Sequence, residues 1–217
     1  MAISFPRTDV LSSVSFEDQP QFQLVSRQEF SRTAFGTTIG KDLGSAIWFA
    51  AYTTISLAND DALKFEAYLN SLDGAVFPFE AWDLRRPYPK SNQTGAFNDT
   101  GILNSVNANN KALSISGLDA GFVLSVGDYL SFNYTTAYGT SRALHQVMEG
   151  VTANGSGLTS EFEVRPHIRP GWTLSGPTTA VRLKKPAGLF TLVPGSVSSR
   201  LNGPVNTVVS FKAQQYL

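Results

Sequence analysis

The sequence predicts a mainly β fold interrupted by one amphipathic helix, and three observations carry that expectation. Apolar residues recur with a period of two along most segments, clusters of Gly, Asn and Pro separate those segments, and only one run has helical spacing.

In "SAIWFAAYTTISL", Ile47, Phe49, Ala51, Thr53, Ile55 and Leu57 fall on one side and Trp48, Ala50, Tyr52, Thr54 and Ser56 on the other. That pattern predicts a long strand covered on both faces. The helix is expected in "NDDALKFEAYLNSLDG", where Ala62, Phe65, Leu69 and Leu72 share a face. Asn59 or Asp60 is the expected cap, Asp60 and Asp61 suit the positive end, and Gly74 supplies the stop. Shorter strands are expected in "FQLVSRQEF", "ALSIS", "YLSFNYTT", "RALHQVM", "EFEVRP", "AVRLKK" and "LFTLV". Within "EGVTANGSGLTSEFEV", Asn154, Gly155 and Gly157 offer the positive-φ positions of a hairpin turn. The last segment, "VNTVVSFKAQQYL", alternates through Val205, Thr207, Val209, Phe211 and Ala213, with polar residues opposite, as in a half-exposed strand.

Two punctuation points frame the middle of the chain. "WDLRRPYPKS" and "KKPAGLFTL" each set a basic pair before a proline. Composition turns rich in Asn, Ser, Thr and Gly after Pro89, so the middle is expected to be an inserted domain. The expected division is residues 1–88 with 186–217 for one domain and 89–185 for the other. The joint between them is assigned to Asp83, Arg85, Arg86, Pro87, Pro89, Lys184, Lys185 and Pro186. Neighbouring arginines in extended chain point apart, whereas Asp83 and Arg85 share a face and can pair, so a chain exit is preferred over an anion site.

Composition excludes several classes. The 217 residues hold 17 Lys+Arg against 17 Asp+Glu, and charged residues make up 16%, well below the roughly 25% of an average soluble domain. Nothing there calls for sequence-specific nucleic acid or an anionic membrane, and so little charge with 12% aromatics implies surface buried in sheets or between subunits. The absence of cysteine removes disulfides, thiol nucleophiles and Cys-ligated metals. "MAISFPRTDVLSS" has no basic-then-apolar leader and no apolar run is long enough for a bilayer, so cytoplasmic synthesis is expected.

The chemistry-bearing residues form no catalytic pattern. His145 and His167 stand in separate strands without a metal-ligand grouping, and no Gly-x-Ser-x-Gly elbow occurs. Glu161 and Glu163 share a strand face, a layout open to acid/base work and, more economically, to a solvated face. "TTIGKDLGS" lacks the remaining positions of a phosphate loop. No catalytic, cofactor or metal residue is therefore expected.

The order of "ISFPR", "IWFAAYTTISL", "ALKFEAYLNSLDG" and "FPFEAWDLRRPYP", followed by "LSVGDYLSF", "RALHQVMEGVTANGSGLTSEFEVRPHIRP" and "VRLKKPAGLFTLV", resembles the distal tail proteins of long-tailed bacteriophages and prophages. The likeness spans nearly the whole chain. It implies a β-sandwich-like belt domain made from both chain ends, with an inserted small β-barrel of OB-like type. It implies a structural, non-enzymatic subunit of a hexameric ring at the virion tail tip, assembled in the host cytoplasm. The implied partners are other copies of the chain, the tail tube protein, the tail hub protein and the tape measure protein. Ring contacts are assigned to Trp48, Tyr52, Phe65, Tyr68 and Phe211, read as aromatics on exposed faces; each equally suits a core position. A carbohydrate-binding β-sandwich module is the competing reading, with Tyr129, Tyr134, Tyr138 and Trp172 as its aromatic platform. A hydrolase with an unrecognised site is a third.

Overall fold

A computed structural model describes residues 3–17, 20–136, 139–169 and 179–216. With 43% of residues in strands and 9% in helix, the fold is mainly β. In chain order the strands are β1 (Gln21–Val25), β2 (Gln28–Arg32), β3 (Thr38–Asp42), β4 (Ile47–Thr53) and β5 (Leu57–Ala58). Helix α1 (Asn59–Asn70) follows, then β6 (Phe79–Ala81), β7 (Ile102–Val106), β8 (Ala112–Ser116), β9 (Val123–Leu124), β10 (Tyr129–Thr136) and β11 (Gly139–Val147). The chain closes with β12 (Val151–Thr152), β13 (Phe162–Arg165), β14 (Val181–Arg182), β15 (Gly188–Leu192), β16 (Ser198–Leu201) and β17 (Asn206–Gln215).

Both ends of the chain build one seven-stranded sheet, in the order β1-β4-β17-β15-β6, with β5 and β16 also paired to β17. The alternation of β17 buries Thr207, Val209, Phe211, Ala213 and Gln215. α1 lays Ala62, Phe65 and Leu69 on the same core, its Phe65 ring 6.0 Å from that of Phe211. β4 is covered more fully on one face than the other: Trp48, Ala50 and Tyr52 are buried, while Ile47, Phe49, Ala51 and Thr53 are half-buried. The expected long strand stops at Thr53 and resumes only as the two-residue β5.

The helix begins at Asn59 behind Ala58, with no side-chain cap. Asn59 does not cap because its Oδ1 accepts a hydrogen bond from Thr207 Oγ1, 2.9 Å away on β17. The helix ends before Leu72, and the turn beyond uses two positive-φ residues, Asp73 at 48° and Gly74 at 68°.

The middle of the chain forms a six-stranded, barrel-like sheet in the order β14-β10-β11-β13-β8-β7. It is nearly closed because Leu103 N donates to Thr179 O at 2.9 Å and Val181 N to Gly101 O at 2.8 Å, joining β7 to the approach of β14. Its core includes Leu113, Ile115, Leu130, Phe132, Phe162 and Val164. The expected hairpin at residues 149–164 is not formed, since β12 pairs with β9 and β13 pairs with β8 and β11. Residues 154–158 are instead a closed loop: Asn154 Oδ1 accepts from Ser156 N and Leu158 N. Gly157, with φ 75°, packs so tightly on the Leu118 backbone that a Cβ would lie 2.1 Å from its carbonyl oxygen.

Among the described residues β2 and β3 pair only with each other, and every residue of this hairpin strand pair is exposed.

Candidate functional site

The chain crossings engage Asp83 and Asp128, the two buried carboxylates among the described residues. Asp83 is 4% exposed. Its carboxylate accepts hydrogen bonds from the Arg85 backbone N at 3.0 Å, Arg85 Nε at 2.9 Å, an Arg85 terminal nitrogen at 2.7 Å and the Tyr129 hydroxyl at 3.0 Å. That Arg85 nitrogen also donates to Phe22 O at 3.1 Å, occupying one carbonyl on β1. Tyr129, the first residue of β10 in the barrel, accepts in turn from Gln146 Nε2 at 3.2 Å.

Arg86 points the other way and donates to Asp128 Oδ1 at 3.0 Å. Asp128 is fully buried, and its charge is further met by Lys90 N at 2.9 Å and Ser125 N at 2.8 Å. Two adjacent arginines therefore hold two separate aspartates, which leaves no forked anion site between them.

The returning crossing lies beside the outgoing one. Lys185, held at φ 45°, donates its backbone N to Pro87 O at 2.7 Å, while its ammonium sits 5.6 Å from the centre of the Trp82 ring. Asp99 accepts from Leu183 N at 2.8 Å and Lys184 N at 3.3 Å, and the Lys184 ammonium lies over Phe97. Pro89 and Pro186 are buried. Away from the crossings, Trp48 Nε1 donates to Leu144 O at 2.9 Å, and Glu80 of β6 is paired with Arg142 of β11 and lies 3.8 Å from Arg182 of β14.

This environment shifts the tyrosines. Burial, reinforced by the Asp83 charge, holds the Tyr52 and Tyr129 hydroxyls well above the usual phenol range. Arg85 is raised chiefly by its hydrogen bond to Asp83. Both phenols are donors at neutral pH, Tyr52 to Trp82 O and Tyr129 to Asp83. The arrangement can fix geometry; it places no nucleophile beside a base.

The aromatics assigned to ring contacts are mostly interior. Trp48, Tyr52, Phe65 and Phe211 are each 1% exposed, so their side chains cannot reach another subunit. The strand and helix faces that carry them turn inward, where Phe16 joins Tyr52, Phe65 and Phe211. Tyr68 is half-buried, with the Arg7 guanidinium 4.4 Å from its ring centre. Of the supposed sugar platform, Tyr129 and Tyr134 are 5% and 6% exposed; Tyr138 and Trp172 lie outside the described residues.

Among the described residues no three His, Cys, Asp or Glu side chains group as metal ligands. Glu161 accepts from Asn107 Nδ2 at 2.7 Å and Glu163 pairs with Arg165 at 3.3 Å, so the two carboxylates serve different partners. His145 is buried and His167 exposed.

Sequence reasoning missed the Tyr129, Asp128 and Glu80 contributions and the hairpin of β2 and β3. The hairpin's only local signal is Gly36, at φ 81° in the turn where Gly36 N donates to Thr33 O. Its residues Phe30, Phe35 and Ile39 are 66%, 98% and 57% exposed. No protein-family model and no curated protein matches the sequence.

Proposed function

We propose that the chain is a structural subunit of a phage tail tip, forming a hexameric ring that joins the tail tube to the tail hub and surrounds the channel for tape measure protein and DNA. In this reading residues 1–88 and 186–217 are a sandwich-like belt domain, and 89–185 an inserted barrel of OB type. The subunit has no enzymatic activity, acts in the virion and touches neither membrane nor specific nucleic acid sequence.

The observation that carries the reading is the hairpin of β2 and β3. A two-stranded ribbon is marginal in water by itself, and this one exposes Phe30, Phe35 and Ile39 without a partner strand among the described residues. Such a ribbon is stabilised by a neighbour. β16 offers an all-exposed strand on the seven-stranded sheet, apart from the separate β2–β3 ribbon, and a ribbon at one place with a strand at another makes a head-to-tail contact that closes into a ring. The polar lock between the two cores further supports a part that transmits position. The carbohydrate reading loses Tyr129 and Tyr134, two of the four residues of its platform, because they are buried.

The test is assembly state. Light scattering after size exclusion is expected to find hexamers at high concentration, and Phe35→Ser with Ile39→Ser to shift them to monomers whose melting temperature is unchanged. A chain that stays monomeric at every concentration and binds neither purified tail tube nor hub protein refutes the reading.

A further inference from the structure

We propose that His145 is an acid-operated latch: while neutral it pins the chain leaving β13, Pro166–Arg169, to the barrel, and once protonated it releases that segment and opens the cleft at the base of the β2–β3 hairpin. The inference is independent of the tail-tip reading.

β11 directs His145 into the barrel, where it is 3% exposed and stacks on Phe132 with ring centres 5.5 Å apart. Its Nδ1 lies 2.8 Å from Pro166 O. A carbonyl oxygen only accepts, so Nδ1 carries the proton and the neutral ring presents Nε2 as an acceptor. Among the described residues that Nε2 meets no partner. A second proton would create a buried charge and a buried donor together, with nothing to receive either.

Among the described residues, no counter-ion lines the space beside His145, and the lining guanidinium of Arg142 is already paired with Glu80. The small cavity beside His145, about 20 Å³, is lined by Arg142 from its own strand, Tyr134 from β10, and His167 and Arg169 from the pinned segment. Ser45, Ala46 and Gln215 complete the other sides without charge, and no carboxylate is among the lining residues. Burial accordingly holds the His145 imidazole down to about 4 from 6.5, the Pro166 bond opposing and the nearby His167 adding to the shift.

Linkage sets the direction. In an open form the imidazole reaches water and titrates at its ordinary value, so below that value the open form binds the extra proton. The closed-to-open ratio is then constant above about pH 6.5 and falls by up to roughly 300-fold as pH drops to about 4, ten-fold per unit. Among the described residues the segment is otherwise held at Ile168, whose N donates to Asn110 O at 2.8 Å and whose side chain is 2% exposed in the barrel core, so release must also draw this side chain out. Pro166 and His167, with Ser45 and Ala46, also line the larger cleft of about 230 Å³ at the hairpin base, next to Arg27 and Asp42. Release of one short segment therefore alters both spaces.

Hydrogen exchange of the full chain, corrected for the intrinsic pH dependence, reads the latch. Protection of the peptide containing Ile168 is expected to fall steeply between pH 6.5 and 4 while the β17 peptide keeps its protection. His145→Gln, whose amide donates to Pro166 O without titrating, is expected to keep Ile168 protected throughout. Protection that is flat in the native chain, equal losses in His145→Gln, or loss of the Ile168 and β17 peptides at one pH each overturns the latch. Should His145→Gln fail to fold, imidazole NMR decides. The chain has only two histidines, and the exposed His167→Gln assigns the other. A His145 midpoint near 6.5 overturns the proposal, and one far below it with pH-dependent Ile168 exchange supports it.

Discussion

Replacing Asp83 with alanine removes the acceptor at the centre of the joint and leaves its donors in place. Four hydrogen bonds end on this carboxylate, three from Arg85 and one from Tyr129. Breaking a buried ion pair from one side costs roughly 3–5 kcal/mol. The Arg85 side chain is 50% exposed and regains water when its partner goes, which places the expected loss at the low end, about 3 kcal/mol. The Tyr129 hydroxyl cannot do the same, since it is buried and its remaining neighbour, Gln146 Nε2, is a donor. For a chain of this length such a loss lowers the melting temperature by roughly 6–12 °C. Urea and thermal unfolding followed by tryptophan fluorescence report it, because Trp48 and Trp82 both sit in the first core. Limited proteolysis is expected to gain cleavage between residues 87 and 100 in Asp83→Ala under native conditions. A loss under about 1 kcal/mol with an unchanged digestion pattern would refute the view that Asp83 ties the two cores together.

Alkali is expected to weaken the fold through the same site. Tyr52 and Tyr129 have raised values in the folded chain, so above the ordinary phenol value of 10.0 the unfolded chain has lost protons that the folded one keeps. Stability then declines with rising pH, and Tyr129→Phe should flatten that slope in urea titrations; an unchanged slope would count against the phenol. Gly157→Ala puts a methyl into the Leu118 backbone at a positive φ and should cost more than about 2 kcal/mol, read as a lower urea midpoint. Trp48→Phe removes the hydrogen bond to Leu144 O and part of a packed ring, an expected loss of about 2 kcal/mol. Thermal unfolding measures it, and a neutral result would mean that the contact of β4 with β11 is idle.

The elements that could be read from the chain are those whose partners are local or whose burial repeats. β17 alternates cleanly because one face meets α1 and the other meets solvent, and the α1 stripe repeats at helical spacing. Pairing of Asp83 with Arg85 spans two residues and needs only extended chain. The failures have the opposite character. The cap at Asn59 is lost to Thr207, 148 positions away. Arg86 reaches Asp128 across 42 positions and Tyr129 reaches Asp83 across 46, distances at which nothing in local pattern marks a partner. β4 is apolar on both faces, so alternation shows two faces without saying which is inward, and the aromatics taken as exposed proved to be the buried set. The hairpin of β2 and β3 escaped for a different reason. Phe30 stands opposite Gly40 and Ile39 opposite Ser31, so each face of the ribbon carries a single large apolar residue and no periodicity appears.

The double crossing explains why the polar groups gather where they do. One linker between two folded bodies leaves rotation about the chain free, and proline alone cannot stop it. Two crossings bonded side by side, as by Lys185 N to Pro87 O, reduce the freedom to a swing about their common line. Side-chain contacts from other strands restrain the swing, Trp48 of β4 to Leu144 and Glu80 of β6 to Arg142, both partners on β11. The ion pairs are expensive to bury and add little net stability over apolar packing. Their directional partners instead specify one relative orientation, which apolar contact alone would leave free to slide. Loss of Glu80 should therefore change the orientation of the two bodies more than a comparable loss of apolar contact, leaving Arg142 with an unmet charge in a nearly closed interface. Small-angle scattering of Glu80→Gln beside Phe22→Leu, which thins the packing of the Phe22 ring on Tyr129 without removing a side-chain hydrogen bond, separates the two effects: a broader distance distribution in the first alone supports orientation by charge, and equal profiles would assign the fixed angle to packing.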